Sequence, residues 1–387
     1  MIRLFDEDSY IKDFSGTVTG CEKNENGYLI TLDKTAFFPT AGGQDCDSGE
    51  LDGQTVSDVF EENGEIFHLV NDPIEIGKTV SGKILWEERY RKMQHHSAEH
   101  IVSGLAYSIF GLNNVGFHLS DTDVIIDYDA EITEEQLSEL ELCANSAVWK
   151  NAAITAYYPD IDELSGISYR SKKAIETDVR IVKIDGIDVC ACCAPHLKST
   201  GEIGIIKFTD MMRHRGGVRI RMICGKDAFF DYDRKQSEVF EVSKLLSAPQ
   251  DGIFEAVKRV YDELSEQKRK NSGVMKKLAQ YEAKAIPKTD GNFWIFSEIT
   301  DKNAMNFIAN EAAKCVAGTF CIFSGDDISG YDYIITSKKG EAAEIARKLN
   351  IGLSGKGGGK SDAAMGHFSA SKKEAKDLLL RLFGEQV

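Results

Sequence analysis

Apolar positions along this chain change their period from one segment to the next. Up to residue 88 they alternate in short runs, "GYLITLD", "GEIFHLV" and "TVSGKILW", punctuated by Asn26-Gly27, Asp52-Gly53 and Asn63-Gly64. Alternation predicts half-buried strands, and an Asx-Gly pair supplies the positive φ angles of a tight hairpin turn. Residues 1–88 are expected to form a small β-barrel. The period then lengthens in "EERYRKMQHHSAEHIVSGLAYSIFG", where Met93, Ile101, Leu105 and Ile109 recur near helical spacing and Gly111 stops the run. Short strand patterns ("DVIIDYD", "VRIVKID", "EIGIIKFTD", "GVRIRMIC") mixed with a second helix, "TEEQLSELELCANSAVWKN", predict an α+β domain over residues 89–230.

Residues 231–286 become charged and helical. Phe254, Val257, Tyr261, Leu264, Lys268, Asn271, Met275 and Leu278 follow a 3-4 spacing after a break at "SAPQDG", so a helical hairpin or coiled-coil linker with one long arm is expected. Lys268 and Asn271 fall on that seam and weaken any pairing, which favours a solvated spacer. Pro287 ends the arm, and residues 287–387 alternate strand and helix patterns as an α/β module. The expected fold is thus α+β and multidomain.

Composition narrows the function classes. With 42% hydrophobic and 28% charged residues in 387, the chain reads as globular. No apolar run nears the roughly 18 residues that would span a membrane, and "MIRLFDEDSYIKDF" lacks the order of a signal peptide, so a cytoplasmic protein is expected. A formal net charge of -16 argues against indiscriminate binding to polyanions. That charge is unevenly placed: residues 287–387 hold 13 basic and 13 acidic groups, leaving 33 of the 46 basic and 49 of the 62 acidic groups to residues 1–286. Nine cysteines, three of them in "CACCAPH", point to metal or thiol chemistry rather than a disulfide framework.

His96 and His100 lie four apart on the expected helix and share a face, whereas His95 points about 100° away. His95 is therefore expected to be dispensable. Helical histidine pairs also occur as solvated or core residues. Cys192 and His196 form a second four-residue pair, and together the two pairs offer one thiolate and three imidazoles, a ligand set that suits Zn²⁺. A competing arrangement uses Cys190 and Cys193 as a C-x-x-C unit and leaves the histidines without a role. Glu99, inside the first pair, is either a base, a partner of the ligands, or plain solvated surface.

Joined in this way, the motifs resemble the editing domain of alanyl-tRNA synthetases, and more closely the free-standing AlaX-type editing proteins of the long form. His96 and His100 match that family's H-x-x-x-H, "CCAPHLKSTGEIG" its second ligand motif, and "TAFFPTAGGQDCDSGEL" its glycine-rich motif. "NNVGFHLSDTDVIIDYD" and "NSAVWKNAAI" also read like family segments, and "LSGKGGGKSDAAMG" resembles the glycine-rich signature of the synthetase C-terminal domain. Ala194 and Pro195 replace a glycine and a threonine of the pattern, Ala41 replaces a glycine, and Ser97 and Glu99 stand where threonine and glutamine are common.

The resemblance implies a zinc-dependent aminoacyl-tRNA deacylase that hydrolyses tRNA(Ala) mischarged with serine or glycine, since a pocket shaped for alanine discriminates poorly against either. It implies Zn²⁺ on His96, His100, Cys192 and His196, and a pocket lined by Gly42, Gly43 and Gln44. Ser97 would meet a serine hydroxyl, and Ser97, Glu99 and Gln44 are the candidates for catalytic roles. Gly355, Lys356, Gly357, Gly358, Gly359 and Lys360 are expected to form an exposed basic loop that contacts tRNA, within a C-terminal part that binds tRNA or forms a homodimer. No adenylation motif is visible, so an editor rather than a synthetase is expected. A zinc-dependent amidase or esterase acting on small substrates, and a non-catalytic zinc-stabilised RNA-binding protein, are the rival readings.

Overall fold

The computed structural model describes residues 1–119, 124–171 and 179–384. "NNVGFHLSDTDVIIDYD" therefore falls partly outside the described residues. The chain divides into two compact units, Met1–Phe240 and Glu241–Val387, a coarser division than the four segments read from the sequence. Among the described residues no helix is long and apolar enough to cross a membrane.

The first unit begins with an antiparallel seven-stranded sheet. Its strands run, edge to edge, Gln54–Val56, Gly49–Leu51, Thr79–Ile84, Asp13–Asn24, Gly27–Leu32, Glu65–Val70 and Asp58–Glu62. The two edge strands are separated in sequence by Ser57 alone, whose N–H donates to Leu69 O at 2.9 Å. The sheet is thereby nearly closed, as the alternating pattern predicts. Its interior holds Ile30, Leu32, Phe37, Phe38, Ile66 and Val80, all buried. Asp52-Gly53 (φ 53° and 79°) and Asn63-Gly64 (φ 53° and 82°) are the expected left-handed turns. At Asn26-Gly27 only the glycine has positive φ, at 147°.

The helix Trp86–Phe110 follows, closed by Gly111 at φ 69° with its N–H on Tyr107 O. Against it pack the helix Glu134–Trp149, started by a capping box between Thr133 and Gln136, a four-stranded antiparallel sheet and a three-stranded one. The four-stranded sheet runs Asn114–Leu119, Val124–Tyr128, Gly217–Cys224, Ile206–His214. The three-stranded sheet runs Ile154–Tyr157, Ile181–Ile184, Asp188–Ala191. Met93 and Ile101 are fully buried, but Ile109 is exposed, because the middle of the helix is enclosed on all sides while its last turn leaves the core. Arg89, Lys92, His95, His96, Ser97, Glu99, His100 and Ser103 are buried with the apolar residues.

The helix Gly225–Leu246 contains the division between the units. In the second unit the helix Ile253–Ala285 buries only Ala256 and Ala279, and Phe254, Val257, Tyr261 and Leu264 on the expected seam are exposed. The sheet beyond it is five-stranded, ordered Phe293–Ser297, Thr319–Asp326, Gly330–Ser337, Ala363–Phe368, Lys356–Gly359. Its first pair is parallel, joined through the helix Lys302–Cys315, and the remaining pairs are antiparallel. A mixed sheet results because the connections after Asp326 include one too short for a crossover helix.

One expectation fails here. Residues 355–360 are not a loop: Lys356–Gly359 is an exposed edge strand, with Gly357 opposite Gly366 and Gly359 opposite Ala364. Gly357 and Gly359 answer a packing need, since a Cβ on Gly357 would stand 2.4 Å from Gly366 Cα and 2.6 Å from the Tyr333 hydroxyl and one on Gly359 2.2 Å from Ala363 O, whereas Gly358 faces open space.

Candidate metal centre

The helix Trp86–Phe110 brings His96 and His100 to one face, and the segment after the strand Asp188–Ala191 brings Cys192 and His196 against them. One ligand atom from each of these four residues lies within 4.8 Å of the other three. Cys192 Sγ is 3.5 Å from His96 Nε2 and 3.4 Å from His196 Nε2. Burial alone would raise the Cys192 thiol, but His96, His196 and His100 around it outweigh burial and hold it well below its ordinary range. Burial pulls His196 down to about 3, so that imidazole is neutral. A thiolate surrounded by imidazole nitrogens is the donor set of a tetrahedral zinc site, and the residues present fit that ion.

The other nitrogen of each histidine is held from behind. His96 Nδ1 lies 2.9 Å from Gln44 Oε1, which only accepts, so Nδ1 carries the proton and Nε2 is free to coordinate. His100 Nδ1 faces Asp188 Oδ2 at 3.2 Å, a charge contact outside hydrogen-bond geometry. His196 Nδ1 lies 3.1 Å from Ser97 Oγ, which also accepts the Leu197 N–H. This is the arrangement by which metal-binding histidines are oriented. Asp188 is itself clamped by both guanidinium arms of Arg170, at 2.7 and 2.8 Å. Gly104 makes this approach possible, since a Cβ there would stand 2.8 Å from Asp188 Cβ and from Ile187 O.

A cavity of about 910 Å³ opens beside the cluster, lined by His96, His100, Cys192, Gly42, Gly43 and Phe117 among others. Gly42 and Gly43 have φ of 63° and 83°, and a Cβ on Gly43 would strike Phe117 at 2.7 Å. Gln44 is buried behind His96, and its Nε2 has no hydrogen-bond partner among the described residues. Ser97 is fully buried and does not line the cavity. Glu99 is not solvated surface: it is buried, accepting from the Ser103 hydroxyl at 2.7 Å and from Asn114 Nδ2 at 2.6 Å, and so ties the helix to the strand that carries Phe117. Cys193 lines the cavity and Cys190 lies beside His100 and Asp188, so the four-donor cluster forms without a C-x-x-C unit.

Two features escaped the sequence reading. Asp188 has the signal of an acidic residue four before Cys192. Arg89 and Asp47, both buried, join the helix to the glycine-rich segment through Arg89 Nε to Asp47 Oδ1 at 2.8 Å, and Arg89 Nη2 also reaches Ala36 O at 2.6 Å. A charged residue four before Met93 on a buried stripe is the trace they leave in sequence. His95 does face away from the cluster, but it is fully buried, taking the Cys224 N–H on Nε2 at 3.1 Å and reaching Arg91 O at 2.9 Å through Nδ1.

Residues 179–221 match the family model described as the threonyl and alanyl tRNA synthetase second additional domain. The chain is 25% identical to the alanyl-tRNA editing protein AlaX-L of Pyrococcus horikoshii over 398 residues, covering 98% of this chain and 97% of that protein. Along its whole length the chain is similar to a long AlaX-type protein. It is also 30% identical to the alanine–tRNA ligase of Methanococcus vannielii and 27% to that of Ignicoccus hospitalis, covering 91% and 94% of this chain. It spans only 41% and 40% of the length of those two ligases. Unlike them, AlaX-L is matched from end to end, cluster, linker and C-terminal sheet included.

Proposed function

We propose that this protein is a trans-editing deacylase that hydrolyses the ester joining serine or glycine to tRNA(Ala). The observation that carries this reading is the convergence of His96, His100, Cys192 and His196 beside a cavity that His96, His100 and Cys192 line together with Gly42 and Gly43. These four residues would hold Zn²⁺, which when bound supplies Lewis-acid polarisation and a fixed anchor for substrate.

The chain's own residues do the rest. Gly42 and Gly43 offer backbone N–H groups to the aminoacyl end without a Cβ in the way. Gln44, expected to line the pocket, lies off it behind His96, where its oxygen fixes the His96 tautomer. Ser97 orients the His196 ring, Asp188 sets a negative charge behind His100, and Glu99 positions the Phe117 strand; none of the three needs to touch substrate. Phe117 and the buried helix exclude water from the inner wall, which strengthens every polar contact there. Lys356 and Lys360, on and beside the C-terminal edge strand, present positive charge to tRNA in a part of the chain that carries no excess of acid.

The test is deacylation of Ser-tRNA(Ala), Gly-tRNA(Ala) and correctly charged Ala-tRNA(Ala), with a free serine ester alongside, before and after chelation and zinc replacement. The reading requires zinc-dependent turnover of a mischarged tRNA well above that of Ala-tRNA(Ala). Equal turnover of the free ester would favour a small-ester hydrolase, and no turnover of any substrate would leave an RNA-binding protein.

A further inference from the structure

The four-stranded sheet ends in a hairpin, Ile206–His214 and Gly217–Cys224, with residues 206–224 carrying five Lys+Arg and a single acidic group, Asp210. This stands out because residues 1–286 hold 33 basic and 49 acidic groups. The turn of the hairpin is Arg215-Gly216, at φ 48° and 85°. The same left-handed two-residue turn occurs at Asp52-Gly53 and Asn63-Gly64, where an Asx residue takes the position that L side chains resist. At this hairpin an exposed arginine takes it instead. A strained residue kept where an unstrained one fits is grounds for assigning that side chain a function.

Acidic groups face the tip as well: Asp127 acts on Arg219, His214 and Arg215 together, and Asp129 is taken up by Asn113 at 2.9 and 2.7 Å. Arg219 is held by both oxygens of Asp127 at 2.7 and 2.8 Å, and Lys207 by Glu141 at 2.6 Å. Arg213 reaches Glu131 at 3.2 Å, but its side chain is 86% exposed, and an ion pair so open is readily exchanged for a phosphate. Arg213 also stands on the cavity side of the sheet. It pairs with Val218, which shares a face with Ile220, and Ile220 is in register through Ile126 with Phe117 of the cavity wall. Three strand spacings across and four residues along put the tip roughly 20 Å from Phe117. A few unpaired nucleotides bridge that distance, as the single-stranded end of a tRNA does before its acceptor stem begins.

We infer that the tip of this hairpin, Arg213 and Arg215, grips the phosphate backbone of the acceptor stem while the acylated end enters the cavity. The inference rests on the deacylase reading for its choice of RNA, and it assigns a second contact surface, separate from the C-terminal edge strand.

The test is binding of uncharged tRNA(Ala) to the full chain by fluorescence anisotropy between 50 and 200 mM KCl. Arg215→Asn keeps the turn and relieves its strain, so the variant should melt no lower than wild type yet bind several-fold more weakly. Arg213→Gln should bind more weakly as well. Each should reduce the slope of log affinity against log salt by about 0.7–0.9. Unchanged affinity and slope in both variants, or no tRNA binding by wild type, would overturn the inference. Because the readout is binding of uncharged tRNA, a wild type that binds but never deacylates sinks the editing proposal alone. One that deacylates while both variants bind normally sinks this inference alone.

Discussion

The buried pair of Arg89 and Asp47 gives the sharpest test of how the barrel is fastened to the metal centre. Both side chains are at most 1% exposed. Asp47 accepts two guanidinium hydrogen bonds and the Phe38 N–H at 2.6 Å, while Arg89 also donates to Ser9 O and Ala36 O. Asp47→Ala removes the carboxylate and strands a guanidinium with two carbonyl partners and no counter-charge. Breaking a buried pair from one side costs about 3–5 kcal/mol, and the Phe38 N–H left without its acceptor places Asp47→Ala toward the upper end. Replacing both partners with apolar residues, Asp47→Leu with Arg89→Met, removes the stranded charge, so the double variant should recover on the order of 2 kcal/mol relative to Asp47→Ala. The assay is urea unfolding followed by near-UV circular dichroism, with zinc content measured on the same samples. Gln44 lies three residues before Asp47, so zinc affinity should fall in the single variant as the glycine-rich segment loosens. A loss below about 1 kcal/mol in Asp47→Ala, or a double variant less stable than the single one, would refute the clamp.

Three further outcomes are expected. His68 is fully buried, its Nδ1 3.0 Å from Ile30 O and its Nε2 2.8 Å from the Thr35 hydroxyl, and burial pulls its pKa from 6.5 to about 4. The unfolded chain therefore takes that proton first. The stability His68 confers is complete above pH 6.5 and lost as pH falls toward 4, by about 3 kcal/mol in all, and the difference between wild type and His68→Gln in acid unfolding should show that limb. Cys192→Ala should lose the bound metal and deacylation together, whereas Cys190→Ala and Cys193→Ala keep one zinc per chain by elemental analysis; metal loss in either of the latter with retention in the former would reverse the ligand assignment. His95→Ala should cost about 1–3 kcal/mol in urea unfolding, because it leaves the Cys224 N–H without an acceptor, and should leave zinc stoichiometry unchanged.

What could be read from the sequence was whatever is encoded locally. The Asp52-Gly53 and Asn63-Gly64 turns, the helix stop at Gly111 and the two four-residue ligand pairs depend on neighbours in the chain, and the structure contains them, though not a left-handed turn at Asn26-Gly27. The support behind the ligands is not local: Gln44 lies 52 residues from His96, and Asp47 lies 42 from Arg89. Nothing in composition or period marks one polar residue as the partner of another at that distance. Solvated surface is one reading of Glu99 because charged residues on helices usually are exposed, and the sequence shows His95 only as turned off the ligand face; both are buried because the middle of the helix is enclosed on all sides. Residues 355–360 looked like a loop because glycine weakens strands, but at this sheet edge Tyr333 and Gly366 leave no room for a side chain at Gly357.

The three supports behind the histidines also set the order of events when the chain folds. An isolated helix can offer only the His96–His100 pair. The thiolate and third imidazole arrive from a segment about ninety residues later, and Gln44 must come from the closed barrel. Contacts of such long sequence separation form late, because loop closure must precede them. The four-donor cluster is therefore complete only in a chain whose first unit has been assembled. A misassembled copy, holding a bare histidine pair, would offer two donors where the finished molecule offers four, so metal affinity itself would distinguish finished molecules from unfinished ones.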